Sequence, residues 1–292
     1  MEQRVKDNSY NIAELQTKML CLLEELIRVC DENGLSYWAC GGTCIGALRH
    51  NGFIPWDDDL DVFMPRADYE KLWSIKEKFD KERFVLCRTS REKNYHHRVL
   101  QLVDITTTFI NMRSVNEDIE HGVYIDIIPM DACAPSGVSR LSQIKNAIFY
   151  SIYNVQCLPE FHGGKLYRFL IKFALKIVPN LDRRYKIWSK CEKRMTRWSW
   201  ENSDKVVELA ASSKVLLKPY PKEWFSGVKK HKFEDIEINL PIGVENYLTQ
   251  VFGDYMTLPP VEERHPRHNT VIIDLNNCYT TYKGKKYCVV KK

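Results

Sequence analysis

Four carboxylates fall within five positions of this chain, at Asp57, Asp58, Asp59 and Asp61, with Leu60 before the last. On a strand, residues two apart point the same way, so Asp59 and Asp61 share a face while Leu60 and Val62 turn into a core. Carboxylates held that close repel unless a proton or a cation lies between them. Mg²⁺ (or Mn²⁺) suits such a pair, because it takes a few carboxylates and completes its shell with waters and phosphate oxygens. The competing readings are a solvated acidic loop and a calcium-binding turn. An EF-hand loop needs a glycine at its sixth position, and counting from Asp57 that position is Val62, so this reading fails.

Upstream stands Gly41-Gly42-Thr43. Two glycines between a strand and a helix let backbone N–H groups approach a phosphate, and the helix N-terminus favours its charge. A Gly-Gly-Thr turn followed about 17 residues later by Asp-x-Asp on a strand is the signature of the polymerase-β-like nucleotidyltransferase fold. That fold takes a third carboxylate from a later strand. Asp126 is the natural choice, an acid flanked by apolar residues in Tyr124-Ile125-Asp126-Ile127-Ile128-Pro129, where it needs a cation or donors. Asp131 and Asp104 compete, but Asp131 follows Pro129 into an expected loop and Asp104 sits at a strand end.

The elements that must position these groups are legible in outline. Asn11 reads as a cap, Ile12, Leu15, Met19, Leu22, Leu23, Leu26 and Cys30 recur at helical spacing, and Asn33-Gly34 supplies the stop. Strands are expected at 35–40, 60–64, 84–88, 98–103, 107–112 and 123–128, with helices at 43–50 and 66–79. After Pro135 the pattern is helical to about Trp200, then a strand at 233–238 leads into a helix at 243–252, and 279–292 reads as a hairpin or a loose basic tail. The expected fold is α/β (or α+β), a nucleotidyltransferase-like core with a mixed sheet plus a helical subdomain. The expected divisions are 1–135 for the catalytic core, 136–230 for a basic helical subdomain and 231–292 for a segment returning to the core.

Composition narrows the class. The chain has 292 residues, 44% hydrophobic and 28% charged, which are globular values with ample chain for a core. No apolar run approaches the roughly 20 residues of a bilayer span, and the first eight residues contain no apolar signal segment, so a cytoplasmic protein is expected. Ten cysteines are scattered without a CxxC pair, which argues for reduced thiols rather than zinc or disulfides. The net charge of +5 is unevenly placed: 138–200 carries thirteen basic residues against three acids. There Lys165, Arg168, Lys172 and Lys176 share one helix face and Leu166, Phe169, Leu170, Phe173 and Ile177 another. A solvated face is the ordinary reading; the functional one is peripheral contact with the inner face of an anionic membrane. Nucleic acid is not expected, because no recognised binding motif accompanies the charge.

The chain resembles the LicD family, phosphotransferases that include bacterial phosphorylcholine transferases and, more distantly, fukutin and fukutin-related protein. The resemblance is carried by Gly41-Gly42-Thr43, Gly46-Ala47-Leu48-Arg49-His50, the run from Gly52 to Asp61, Met64-Pro65-Arg66 and the run from His121 to Asp131. Tyr247-Leu248-Thr249-Gln250 and Gly253 to Pro260 complete it, over roughly 12–135 and 233–268. It implies a CDP-alcohol donor, a glycan or lipid-linked glycan acceptor of a lipopolysaccharide, teichoic acid or capsule, and release of CMP. The group moved would be phosphocholine or a ribitol or glycerol phosphate; transfer of a nucleotide to a small molecule is the alternative, and a non-catalytic binding protein a third. On this reading Asp59 and Asp61 hold Mg²⁺, and Asp126 completes the metal site or takes a proton. Gly41, Gly42 and Thr43 cradle the donor phosphates, with Arg49 and His50 adding positive charge or pairing with the acidic loop. The Arg264-His265-Pro266-Arg267-His268 segment is polar enough for substrate contact but has no assigned role.

Overall fold

A computed structural model describes residues 11–156, 165–210 and 213–289. The leading residues, on which the reading of the N-terminus rests, and the side chains of Lys165 and Leu166 lie outside the described residues. In chain order the first elements are α1 (Ile12–Asn33), β1 (Trp38–Ala39), α2 (Gly41–His50), β2 (Asp61–Pro65), α3 (Arg66–Ser74), β3 (Phe84–Cys87), β4 (Leu100–Asp104), β5 (Thr108–Asn111) and β6 (Val123–Ala132). There follow α4 (Val138–Val155), α5 (Lys165–Ile177), α6 (Leu181–Met195), β7 (Lys205–Val207), α7 (Ser213–Leu216) and β8 (Tyr220–Pro221). The last are β9 (Val228–Phe233), β10 (Ile236–Pro241), α8 (Val244–Phe252) and β11 (Thr270–Asp274). The expected α/β class holds, with helices beside a mixed sheet. No helix among the described residues is long and apolar enough to cross a membrane.

The chain divides into two compact units. The first gathers Met1–Cys87, Leu100–Ile128 and Trp224–Lys292, and the second Arg88–Val99 and Pro129–Glu223. In the first, α1 begins where the Asn11 side chain accepts from the Ala13 amide (3.0 Å) and stops at Gly34, whose φ of +61° suits glycine. Its apolar stripe, Leu15, Met19, Leu22, Leu23, Leu26, Val29 and Cys30, is sealed from water, each large side chain contributing about 1.5–3 kcal/mol relative to exposure. The strands run in the order β1-β2-β6-β4-β3, with β1/β2, β6/β4 and β4/β3 antiparallel. Val62, Phe63 and Met64 of β2 are all buried, as befits a strand covered on both faces. The β5/β11 and β9/β10 pairs form two-stranded sheets of their own.

In the second unit α4 and α6 pack around Tyr150, Trp188, Cys191 and Met195, and Asp131 and Ala132 pair with β7, which in turn pairs with β8. Every cysteine among the described residues is free, in line with the reduced-thiol expectation.

Several boundaries differ from the sequence reading. β6 continues through Pro129 to Ala132, so Asp131 lies on a strand rather than in a loop. The proline is tolerated because its missing N–H falls between the ladder to β4, which ends at Ile127, and the ladder to β7, which starts at Asp131. The expected strand at 233–238 is two strands around Glu234-Asp235, with Glu234 at φ +54°. The expected 66–79 helix ends at Ser74 and continues as a 3₁₀ turn. The last segment forms a 3₁₀ turn and a single Lys283–Tyr287 bridge instead of a hairpin.

Candidate active site

The acidic run precedes β2 and alternates in burial: Asp57, Asp59 and Asp61 are half-buried, while Asp58, Leu60 and Val62 are buried. Successive side chains of an extended segment take opposite sides, so Asp58 parts company with its neighbours. Its Oδ1 accepts from the Arg267 amide (3.1 Å), its Oδ2 from the His268 amide (3.1 Å), and its Oδ1 lies 3.1 Å from His268 Nδ1. Burial would raise its pKa, but these bonds and the imidazole's charge outweigh it and hold the carboxyl below its ordinary value. For His268 burial alone would favour the neutral ring; the Asp58 bond and the charges of Asp58, Asp59 and Asp126 prevail and raise its pKa to about 9. At neutral pH it is an imidazolium, with both ring nitrogens donors.

Asp57 shows the opposite balance. Burial, the charge of Asp59, a hydrogen bond with Asp59 and the charge of Asp58 raise its pKa to about 8, against the pull of His268. Two carboxyl groups can share a hydrogen bond only if one keeps a proton, and here Asp57 does. The loop is set from behind by Gln16 of α1, which donates to the carbonyls of Ile54 and Asp57, each at 3.0 Å.

Asp61 opens β2, its amide donating to Thr43 Oγ1 (3.0 Å) and its carbonyl accepting from the Cys40 amide (3.2 Å). Asp126 arrives from β6. Its amide donates to the Leu60 carbonyl (3.0 Å) and its Oδ1 accepts from Gln101 Nε2 of β4 (2.7 Å). Adjoining strands thus bring Asp126 beside the 59–61 backbone, and its charge, with those of Asp58 and Asp59, reaches both His268 and Tyr124. Burial first, and the Asp126 charge second, push the Tyr124 phenol well above its ordinary pKa.

The Gly-Gly-Thr residues lie in the first turn of α2 rather than in a turn before it. Gly41 has φ +53°, a conformation that favours glycine, and its amide donates to Tyr247 Oη (3.1 Å). A side chain at Gly42 would meet Asp57 Oδ2 at 2.7 Å, so this glycine makes room for the acid. The Gly42 and Thr43 amides have no hydrogen-bond partner among the described residues, as first-turn amides do when they await an acceptor. Arg49 and His50 lie at the other end of α2. Arg49 Nε donates to His50 Nε2 (3.0 Å) and its Nη1 to the Tyr255 carbonyl (2.8 Å). The structure therefore brings Gly41, Gly42, Thr43, Asp59, Asp61 and Asp126 to one end of the helix and leaves Arg49 and His50 at the other.

Three participants escape a reading of the sequence: Gln16, Gln101 and His268. The glutamines carry no motif, and their roles depend on which carbonyl or carboxylate the fold sets before them. His268 had a signal, a run of basic and histidine side chains at 264–268, but nothing in the order of residues ties it to Asp58.

Whether a divalent cation suits the site turns on its donors. Among the described residues, no three His, Cys, Asp or Glu side chains already gather closely enough to hold a metal ion. The donor set fits nonetheless: all ligand atoms on offer are carboxylate oxygens, and burial, with the charges of Asp59 and Asp58 added to it, raises the pKa of Asp57 among them.

The sequence model of the family described as LicD/FKTN/FKRP, nucleotidyltransferase domain, matches residues 34–135, which hold α2, β2 and β6 up to the strand's end. Over 267 residues the chain is 26% identical to the lipopolysaccharide cholinephosphotransferase LicD of Haemophilus influenzae, covering 88% of this chain and 96% of that protein. The chain is thus similar to a LicD protein over most of its length, and its residues 34–135 match the family's nucleotidyltransferase domain. Shorter likenesses exist to an uncharacterized protein of Rickettsia prowazekii, 37% identical over 59 residues (20% of this chain, 22% of that one). Mannosyltransferase regulator 4 of Saccharomyces cerevisiae is 26% identical over 157 residues, 51% of this chain and 13% of the yeast protein. The LicD-family match thus spans all of Gly41, Gly42, Thr43, Arg49, His50, Asp59, Asp61 and Asp126, whereas His268 lies beyond it.

Proposed function

We propose that this chain is a phosphotransferase that moves phosphocholine, or a related alcohol phosphate such as that of ribitol or glycerol, from a CDP-activated donor to a hydroxyl of a cell-surface glycan precursor. The observation that carries this reading is the seating of Asp126 against the Asp59-Leu60-Asp61 backbone, next to a helix N-terminus with unsatisfied amides. The cholinephosphotransferase relative, aligned over nearly its whole length, supports the choice of transferred group.

In the proposed reaction the acceptor oxygen forms a bond to the phosphorus that bears choline, the bond from that phosphorus to the bridging oxygen breaks, and CMP leaves with the electron pair. Asp59 and Asp61 would hold Mg²⁺ (or Mn²⁺), which when bound neutralises charge on the transferred group and the leaving phosphate. Asp126, oriented by Gln101, takes the acceptor's proton. The Gly42 and Thr43 amides donate to donor phosphate oxygens.

Incubation with CDP-choline, Mg²⁺ and a glycan precursor should yield CMP. Asp59→Asn and Asp61→Asn should each lower kcat at least about 10³-fold, and Asp126→Asn about 10²–10⁴-fold. Unchanged turnover in all three would end the reading. The family's description as a nucleotidyltransferase domain favours one alternative, transfer of NMP, which would appear as pyrophosphate released from an NTP.

A lipid-linked acceptor would bring the reaction to a membrane surface, and the exposed face of α5 suits contact with an anionic one. Phe169, Leu170, Phe173 and Ile177 are exposed, up to 62%, among Arg168, Lys172 and Lys176, the pattern of a helix lying in a lipid interface.

A further inference from the structure

Arg49 and Arg264 stand close enough that the charge of Arg264, after burial, is the main influence lowering the Arg49 pKa. Both are pinned to one segment: Arg49 Nη1 donates to the carbonyls of Tyr255 (2.8 Å) and Thr257 (3.4 Å), and Arg264 Nε to that of Pro259 (2.8 Å). Arg49 Nε is further locked by His50 Nε2, which must be unprotonated to accept it. The Arg264 guanidinium lies 5.5 Å from the centroid of the Trp56 ring, and that ring meets His50 edge-on at 6.3 Å. Neither arginine has a carboxylate partner among the described residues. Asp57 influences Arg49 through space without forming an ion pair with it.

Two guanidinium groups oriented by carbonyls and left without an ion-pair partner among the described residues repel each other, and a folded protein bears that repulsion where an anion is to be received. The locked bonds use both Nε atoms and one Nη, so Arg49 Nη2 and the two Nη groups of Arg264 remain as donors. Planar forks of this kind match phosphate oxygens in pairs. We infer that Arg49 and Arg264 form one phosphate-binding fork, and that it takes the nucleotide-side phosphate of a nucleoside diphosphate donor. Only the identity of that donor rests on the proposed phosphotransfer; the anion site stands on the geometry of the two arginines. It gives the 264–268 segment two tasks, a guanidinium at one end and the Asp58 clamp at the other.

The test uses the full chain and three probes: inorganic pyrophosphate, CMP and CDP-choline. Arg264→Gln and Arg49→Gln should each weaken pyrophosphate and CDP-choline binding by calorimetry about tenfold or more, and Arg264→Lys should restore only part of it, because an ammonium keeps the charge but loses the fork. A measurement on the unaltered protein covers the case of misfolded variants. Pyrophosphate should protect Arg49 and Arg264 from phenylglyoxal, read by mass spectrometry, while the exposed Arg91 reacts as before. Absence of protection, or CDP-choline turnover with KM unmoved in both Gln variants, overturns the fork whatever the reaction is. Protection by pyrophosphate with none by CMP or CDP-choline keeps the fork and removes the cytidine donor.

Discussion

At the scale of single residues the site depends on two neighbouring aspartates with opposite fates. Asp57 keeps a proton because burial and Asp59 leave it no alternative, whereas Asp58 gives its proton up because His268 and two amides meet it. No property of the run Asp57-Asp58-Asp59 separates them on paper; the alternation of an extended chain does, by turning Asp58 toward the 267–268 backbone. His268→Ala would leave that buried carboxylate with its amide bonds alone. The expected loss of stability is about 2 kcal/mol, typical of a charge-assisted bond, measured by denaturant unfolding. kcat should fall as well, since the same bond sets the loop that carries Asp59; unchanged stability would show that the imidazole contributes nothing to Asp58.

At the scale of elements, legibility followed periodicity and capping. α1 was readable to its ends because Asn11, the apolar repeat and Gly34 all act locally. The sequence places one strand at 233–238, across the β9–β10 turn, because Glu234-Asp235 is no common turn pair; the hairpin is stabilised by a contact distant in sequence, with Glu234 Oε1 accepting from the Phe53 amide at 2.8 Å. α5 was legible as amphipathic, and the structure adds that its apolar residues are not all used: Ile171 is buried while Phe169 and Phe173 stack on each other in the open. If the helix meets lipid, the protein should co-sediment with phosphatidylglycerol vesicles and not with phosphatidylcholine vesicles. Phe169→Ser with Phe173→Ser should reduce that binding about tenfold or more, each phenyl group being worth on the order of 1.5–3 kcal/mol when transferred from water. Binding unaffected by the double substitution would reduce the contact to non-specific charge attraction.

At the scale of the whole molecule, the two compact units draw on interleaved stretches of chain, and the second contains a pH-sensitive group of its own. Glu208 is buried with Tyr220 Oη donating to it at 2.5 Å; burial raises its pKa from 4.5 to about 7, the tyrosine bond opposing but not cancelling the shift. A carboxyl whose folded pKa exceeds its unfolded value costs nothing below pH 4.5, where both states are protonated; the destabilisation accumulates between pH 4.5 and 7 and is complete above 7. Glu208→Gln should therefore match the wild type near pH 4.5 and exceed it above pH 8, by on the order of 3 kcal/mol in urea unfolding; parallel curves at both pH values would refute the assignment. The chain's order of residues by itself determined the α/β class, the caps of α1 and the acidic cluster, because each is expressed in local spacing. Only the tertiary structure decided which acid keeps its proton, which glycine makes room for a carboxyl, and that Arg264 joins Arg49 while His268 clamps Asp58. The last two depend on distances between groups some two hundred positions apart, the first two on how the chain folds back locally, and burial and charge act through space without regard to position along the chain.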